Sequence, residues 1–372
     1  MKLQLDQNLV TNRKSGLAMK FLILNLLVMF SQATIAFGQK NNLADRYIDS
    51  YKQYLGASCP LEKDAIKHFV YFARDRQNMR DHSFLRVGRF EGAQIMYAWR
   101  ELEPEKDTYD FTIVREDYEY LKAHGKKLFI QFQDATFLPQ YKAIPAYLLA
   151  AEYDGGTVTQ LDDNGKVEGW VAKRWNPEVQ KRFALLMSAL GQEFDGKIEG
   201  INLQETAIGV TAKVDASFTP EKYVQGLKAN MLSLKKAFPQ STTMQYANFM
   251  PDEWLPYDDK GYLRALYAYG EQIGVGLGGP DLMYTRKGNL NHTVAMMHES
   301  DYKVPLGIAI QDGNYVGTTG SNEVVAKRKN LVPVLHAFAK DFMKVDYMFW
   351  VAQEPYFSED VVPCFAPGEG KK

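Results

Sequence analysis

The chain is poor in the residues that support several kinds of chemistry. Of 372 residues only two are cysteine, Cys59 and Cys364, and only six are histidine. No Cys/His group has metal-ligand spacing, so no metal or other cofactor is expected. Net charge is scarce too: 44 Lys and Arg against 45 Asp and Glu give a formal charge of -1, with the signs mixed along the chain. A basic stripe able to neutralise phosphates is missing, which argues against nucleic acid as a partner. There is no Gly-rich turn after a first strand to cradle a nucleotide phosphate. The one long apolar run, Phe21–Phe30, is too short and, with Asn25 inside it, too polar to span a bilayer comfortably.

That run has another reading. Arg13, Lys14 and Lys20 precede it and small residues follow, with Ala36-Phe37-Gly38 as a cleavage site before Gln39. This is the order of a secretory signal peptide over residues 1–38, with Met19 as an alternative start. The mature protein is expected in the periplasm or outside the cell, with no membrane association once the leader is removed. Export would allow Cys59 and Cys364, near the two ends of the mature chain, to pair. In a closed barrel the first and last strands are neighbours, so the two thiols could meet. The oligomeric state is open.

What the chain does have is 46% hydrophobic and 13% aromatic residues, enough for one large core. Residues 39–89 read as a polar lead-in with helical segments; Ile66, Phe69, Val70 and Phe72 give Asp64–Asp75 a helical rhythm. From Phe90 strands and helices alternate. Strands are expected at Ala93–Trp99, Lys127–Gln133, Trp170–Trp175, around Ile198–Leu203, Thr242–Asn248, Gly274–Leu277, Pro305–Gln311 and Asp346–Val351. Helices are expected to open at Pro177 and at Thr219-Pro220, the second an N-cap followed by proline at the first helical position. Asn164-Gly165 marks a hairpin between Val158–Leu161 and Val167–Val171. Eight strand-like segments with intervening helices predict a single-domain (β/α)8 TIM barrel over residues 90–372.

Sites in such barrels form at the C-terminal ends of the strands. Those ends carry Trp99 and Arg100; Gln131, Gln133 and Asp134; Trp175 and Asn176; Gln204 and Glu205; Tyr246 and Asn248; Asp281; Gln311 and Asp312; Trp350 and Glu354. Amides offer donors and acceptors to hydroxyls, and aromatic rings offer apolar faces to sugar C–H groups, so the expected ligand is a carbohydrate. Glu205 ends an otherwise apolar strand. A carboxyl there is costly unless it has partners or a task. The other reading is a carboxylate held by an Arg or Lys for structural reasons.

The segment Tyr97-Ala-Trp-Arg-Glu-Leu-Glu-Pro-Glu-Lys-Asp-Thr-Tyr-Asp-Phe111, continued by Gly125–Gln131, resembles barrel glycoside hydrolases of the β-galactosidase and cellulase kind. The resemblance runs over about Phe90–Phe357. It implies a glycoside hydrolase with Glu205 as acid/base and Trp350 as a floor under the sugar; from the strand ends, Trp99, Arg100, Gln131, Gln133, Trp175, Gln204, Tyr246, Asn248 and Gln311 are expected to bind substrate, and the leader makes the enzyme a secreted one. The chain departs from the family on the seventh strand, where retaining members carry a nucleophilic Glu. Ile308-Ala-Ile-Gln-Asp-Gly313 places the neutral amide of Gln311 there. A second carboxylate is then expected from Glu354 first, Asp281 next, or Asp312. Retaining pairs sit about 5–5.5 Å apart and inverting pairs roughly 6.5–9.5 Å. The alternatives are a barrel that binds glycans without cleaving them and an envelope protein with an incidental pocket.

Overall fold

The computed structural model describes residues 42–311 and 330–366. The leader residues and Asp312 lie outside the described residues. The chain divides into a short leading unit, Met1–Arg46, of which one 3-10 turn at Leu43–Asp45 is described, and a large unit, Tyr47–Lys372.

The large unit is built on a closed barrel of eight parallel strands. In chain order these are β1 (Lys67–Tyr71), β2 (Phe90–Ala98), β3 (Lys127–Gln133), β7 (Gly200–Leu203), β8 (Thr242–Tyr246), β9 (Gly276–Gly279), β10 (Leu306–Ile310) and β11 (Tyr347–Val351). Between β3 and β7 runs a three-stranded antiparallel flap of β4 (Ala135–Thr136), β5 (Thr157–Leu161) and β6 (Val167–Ala172). The (β/α)8 expectation holds, but two of its strands are placed differently. β1 lies in the segment read as a helical lead-in, and it closes the barrel by pairing with both β11 and β2. The segment Trp170–Trp175 belongs to no barrel strand: Trp170 and Val171 pair with Thr159 and Val158 across the predicted hairpin, and with Thr136 and Ala135 on the other side.

Helices Pro177–Phe194 and Pro220–Ala237 start where the sequence places them. Asn176 Oδ1 accepts from the amides of Glu178 and Val179, and Thr219 Oγ1 accepts from Lys222 N. Both helices carry proline in the first turn. In the hairpin, Asp162 Oδ1 accepts from Asn164 N and Lys166 N, and Gly165 takes φ +77°, a conformation that suits glycine.

Inside the barrel, Phe69, Tyr71, Phe129, Met244, Tyr246, Ala309, Tyr347 and Phe349 form one buried column. The period of two along each strand selects them: Phe69 and Tyr71 point in, and Val70 between them packs with the outer layer. β9 is nearly all glycine, and at Gly278 the column takes the space a side chain would need. A Cβ on Gly278 would lie 2.7 Å from the Tyr246 ring and 2.8 Å from Met244 Sδ. Cys59 and Cys364 form a disulfide with Cα atoms 4.6 Å apart. Among the described residues no helix is long and apolar enough to cross a membrane.

Candidate active site

At the C-terminal mouth of the barrel the aromatic column gives way to amides and one acid. Gln94 Nε2 donates to Asn202 Oδ1 at 2.9 Å and to the Tyr246 hydroxyl at 3.0 Å. Above them opens a small cleft with a cavity volume of about 100 Å³. It is lined by Tyr71, Met96, Gln131, Gln133, Ala135, Thr136, Phe137, Gln204, Glu205, Tyr246, Pro280 and Gln311.

Glu205 leaves β7 two residues past Leu203, and its carboxylate is held from below. Asn248 Nδ2 donates to Glu205 Oε2 at 2.7 Å. The Asn248 carbonyl in turn accepts from Ala207 N at 3.1 Å, which fixes the amide's orientation. Arg174 anchors the acid's backbone: it donates to Glu205 O, to the Tyr223 hydroxyl and, through two nitrogens, to Asp134. Burial, followed by the nearby charge of Asp281, pushes the Glu205 carboxyl up to about 7, against the opposing effect of the Asn248 hydrogen bond. A carboxyl that keeps its proton near neutrality can donate it.

The other predicted residues separate into two groups. Gln131, Gln133, Gln204, Tyr246 and Gln311 reach the cleft with Glu205. Gln131 and Gln133 line the cleft, and their side-chain oxygens are buried without a protein partner. Gln204 is committed elsewhere: its Oε1 accepts from Asp134 N and Ala135 N and clamps the exit of β3. Asn248 holds the acid. Asp281 acts on Glu205 through its charge, from the end of β9, where it bridges to Ile310.

The tryptophans are corrected by the structure. Trp99, Trp175 and Trp350 are 1%, 6% and 0% exposed and pack into the protein, away from the cleft. Trp99 donates to Glu103, Trp175 to Ser217 and Trp350 to His68. Alternation explains Trp350: with Tyr347 and Phe349 inside the barrel, it must face the outer layer. The Trp99–Glu103 pair, part of the segment that carried the family resemblance, is a structural clasp in which Glu103 also meets Arg182 and the Tyr147 hydroxyl. Arg100 is exposed and lies over the Tyr141 ring at 5.0 Å. Glu354 is exposed and caps Ser358, whose hydroxyl donates to it at 2.6 Å; it does not line the cleft.

Sequence reasoning missed Tyr71, because β1 was read as helix, and Phe137, the one phenyl ring lining the cleft. Phe137 is 48% exposed. Its signal was present in Asp134–Phe137, which leaves a strand end and enters the flap.

Among the described residues, one group has ligand atoms close enough for a metal. Asp64, His68 and His336 place theirs within 4.8 Å of one another. The hydrogen bonds favour a proton network instead. Trp350 Nε1 donates to His68 Nδ1, so the neutral ring carries its proton on Nε2, the nitrogen nearest Asp64. Asp64 is already paired with Arg89 and with His336 Nε2 at 2.8 Å.

By sequence, the chain matches no family model and no curated protein. Solved structures match it in fold. A GH5_18 protein from Streptomyces cattleya, in complex with GlcNAc, aligns with a TM-score of 0.53 at 11% identity, over 78% of this chain and 71% of that chain. The catalytic domain of beta-amylase from Paenibacillus polymyxa gives 0.50 at 10% identity, over 79% of this chain and 93% of that one. A GH5_18 variant from Bifidobacterium longum subsp. longum, in complex with Manb1-4GlcNAc, gives 0.51 at 10% identity, over 77% and 68%. The chain shares the (β/α)8 barrel fold with these structures. At these identities the likeness is one of fold alone, and any chemistry rests on the chain's own cleft.

Proposed function

We propose that the protein cleaves glycosidic bonds of an oligo- or polysaccharide, with Glu205 as the general acid. The observation that carries this is the Glu205 carboxyl itself. It sits in a cleft at the C-terminal mouth of a glycosidase-type barrel, lifted to about 7 by burial and Asp281, and faced by neutral amides and tyrosines. Glu205 hands its proton to the glycosidic oxygen as the bond to the leaving sugar breaks, and the anomeric carbon takes its new bond from water, whose proton passes to the second carboxylate. Asn248 holds the resulting Glu205 carboxylate. Gln131 and Gln133 accept hydrogen bonds from sugar hydroxyls, and Phe137 offers its ring to a sugar face. Asp281 is assigned as the second carboxylate because it directly follows β9 at the same end of the barrel and its charge acts on Glu205, although it is not among the residues lining the cleft. Glu354 is not given that role, because its oxygens serve Ser358.

The assigned site works outside the cytoplasm. The Cys59–Cys364 disulfide supports that placement, and sequencing the mature N-terminus from secreted material checks it.

The deciding experiment pairs turnover with binding on a panel of chromogenic glycosides and polysaccharides. Glu205→Gln is expected to abolish turnover of substrates with poor leaving groups and to retain binding. Undiminished turnover would remove Glu205 from the role. A second reading has one observation in its favour: Gln311, a neutral amide, lines the cleft at the place where a retaining enzyme carries its nucleophile. Under that reading the barrel binds a glycan without cleaving it, and saturable binding with no release of reducing ends identifies it.

A further inference from the structure

Next to the cleft, a second aromatic surface stands in solvent with no role in the mechanism. It is carried by the loop between β8 and the helix Tyr262–Ile273, at the same end of the barrel as Glu205. Trp254 is 57% exposed. Its indole stacks on the Phe249 ring with centroids 5.5 Å apart and planes 12° apart, and the His292 ring packs against both.

Exposed aromatic residues usually sit on mobile loops, but this loop is tied at every turn. Trp254 and Asp258 exchange two backbone hydrogen bonds of 2.9 Å. The Glu253 carboxylate is buried and accepts from the amides of Lys260, Tyr262 and Leu263, so it caps the following helix. Leu255 N donates to His292 Nε2 at 3.1 Å, and the other ring nitrogen bonds to Gly288 O. Burial holds His292 down to about 4, so the ring stays neutral and this tie persists across the physiological range. The result is a flat apolar face fixed in space, on a loop where Lys260 pairs with both Asp252 and Asp258.

The platform is also joined to the cleft. Phe249 follows Asn248, whose side chain holds the Glu205 carboxylate, and Thr206, next to Glu205, donates to Phe249 O at 2.8 Å. A polysaccharide chain leaving the cleft on this side meets an aromatic face on a loop that also carries hydrogen-bonding groups. That combination takes the apolar face and the rim hydroxyls of a pyranose ring.

We propose that Trp254, backed by Phe249, is a distal subsite that binds a sugar unit of the same chain whose scissile bond lies at Glu205. The inference rests on the glycan reading of the cleft. It adds that the substrate is an extended saccharide, longer than the cleft alone accommodates.

The test uses the full chain carrying Glu205→Gln, so that ligands persist, with and without Trp254→Ala and Trp254→Phe. Affinities are measured calorimetrically for manno-, cello- and malto-oligosaccharides from dimer to hexamer. In the parent, affinity is expected to rise with length. Trp254→Ala should cut the hexamer-to-dimer affinity ratio by roughly tenfold, and Trp254→Phe should restore most of it. Thermal melting confirms that each variant is folded. If dimers bind and the length dependence survives Trp254→Ala, the proposal is overturned while the cleft reading stands. If no oligosaccharide of any length binds, the cleft reading fails and this proposal falls with it. If sedimentation shows self-association that Trp254→Ala abolishes, the face is an interface between copies and the proposal is overturned.

Discussion

The guanidinium of Arg174 donates at 2.8 Å to the main-chain carbonyl of Glu205. The same group makes a two-nitrogen pair with Asp134 at the end of β3 and bonds to the Tyr223 hydroxyl on the helix Pro220–Ala237. The acid is therefore fixed to a strand, a helix and the edge of the flap through a single cation. Removing that cation strands the buried Asp134 carboxylate. Arg174→Met is expected to lower unfolding stability by about 3–5 kcal/mol, the range for breaking a buried pair from one side. Arg174→Lys recovers only part of the loss, because a lysine cannot form the two-nitrogen fork. Urea unfolding of the three proteins gives the comparison.

The elevated Glu205 carboxyl sets a pH dependence for activity. A general acid works while protonated, so turnover should fall as pH rises through about 7. Asp281→Asn takes away the like charge that helps keep the proton in place. The Glu205 carboxyl, followed by NMR in the Asp281→Asn variant, should then titrate at lower pH. A titration that stays put would mean that Asp281 does not act on Glu205.

The same shift appears in stability, with its sign fixed by linkage. Glu205 holds its proton more tightly folded, at about 7, than its ordinary value of 4.5. Its contribution is complete below 4.5 and is lost as pH rises from there through 7. Glu205→Gln, which needs no proton, should be relatively more stable than the parent at pH 8 than at pH 4, by up to about 3 kcal/mol. Denaturant titrations at the two pH values measure it.

Phe137 and Trp350 separate binding from packing. Phe137 lines the cleft and is half exposed, so Phe137→Ala should weaken glycan binding by roughly tenfold and leave the melting temperature nearly unchanged. Trp350 is fully buried, and Trp350→Ala should cost about 3–5 kcal/mol of stability. The reverse pattern would restore Trp350 as the floor of the sugar site.

The Cys59–Cys364 bond closes a loop with a sequence separation of 305. On a chain-entropy argument its removal costs about 5 kcal/mol. Replacing both cysteines with serine should lower the melting point by several degrees, and reducing agent should lower that of the parent alone.

The barrel was legible in the sequence because strand–helix alternation over most of the chain leaves few other closed arrangements. The count of eight came out right through two errors that cancel. Lys67–Tyr71 is five residues long and mostly buried, so its apolar run has no period that separates strand from helix. Trp170–Trp175 has strand composition, but the local hairpin turn pairs it with β5 first. Glu205, Gln131, Gln133, Tyr246 and Gln311 were legible because strand ends at the barrel mouth follow from the fold. The tryptophans were not, since residue type at a strand end does not say which way the side chain points. Tyr347-Met-Phe349 held that information by alternation. Asn248 and Gln204 were found, but as hydroxyl binders; their ties to Glu205 and to the β3 exit depend on loops that sequence spacing does not fix.

β1 pairs with β11, and just outside this seam the disulfide joins the two ends of the barrel. Topologically the chain between Cys59 and Cys364 is a ring. A protease that nicks the exposed turn at Asn164-Gly165 would leave both pieces in one molecule, separating on a denaturing gel only after reduction. A circular permutant opened at that turn, with the two ends near the seam joined by a short linker, inherits a molecule already closed where the new peptide link is needed.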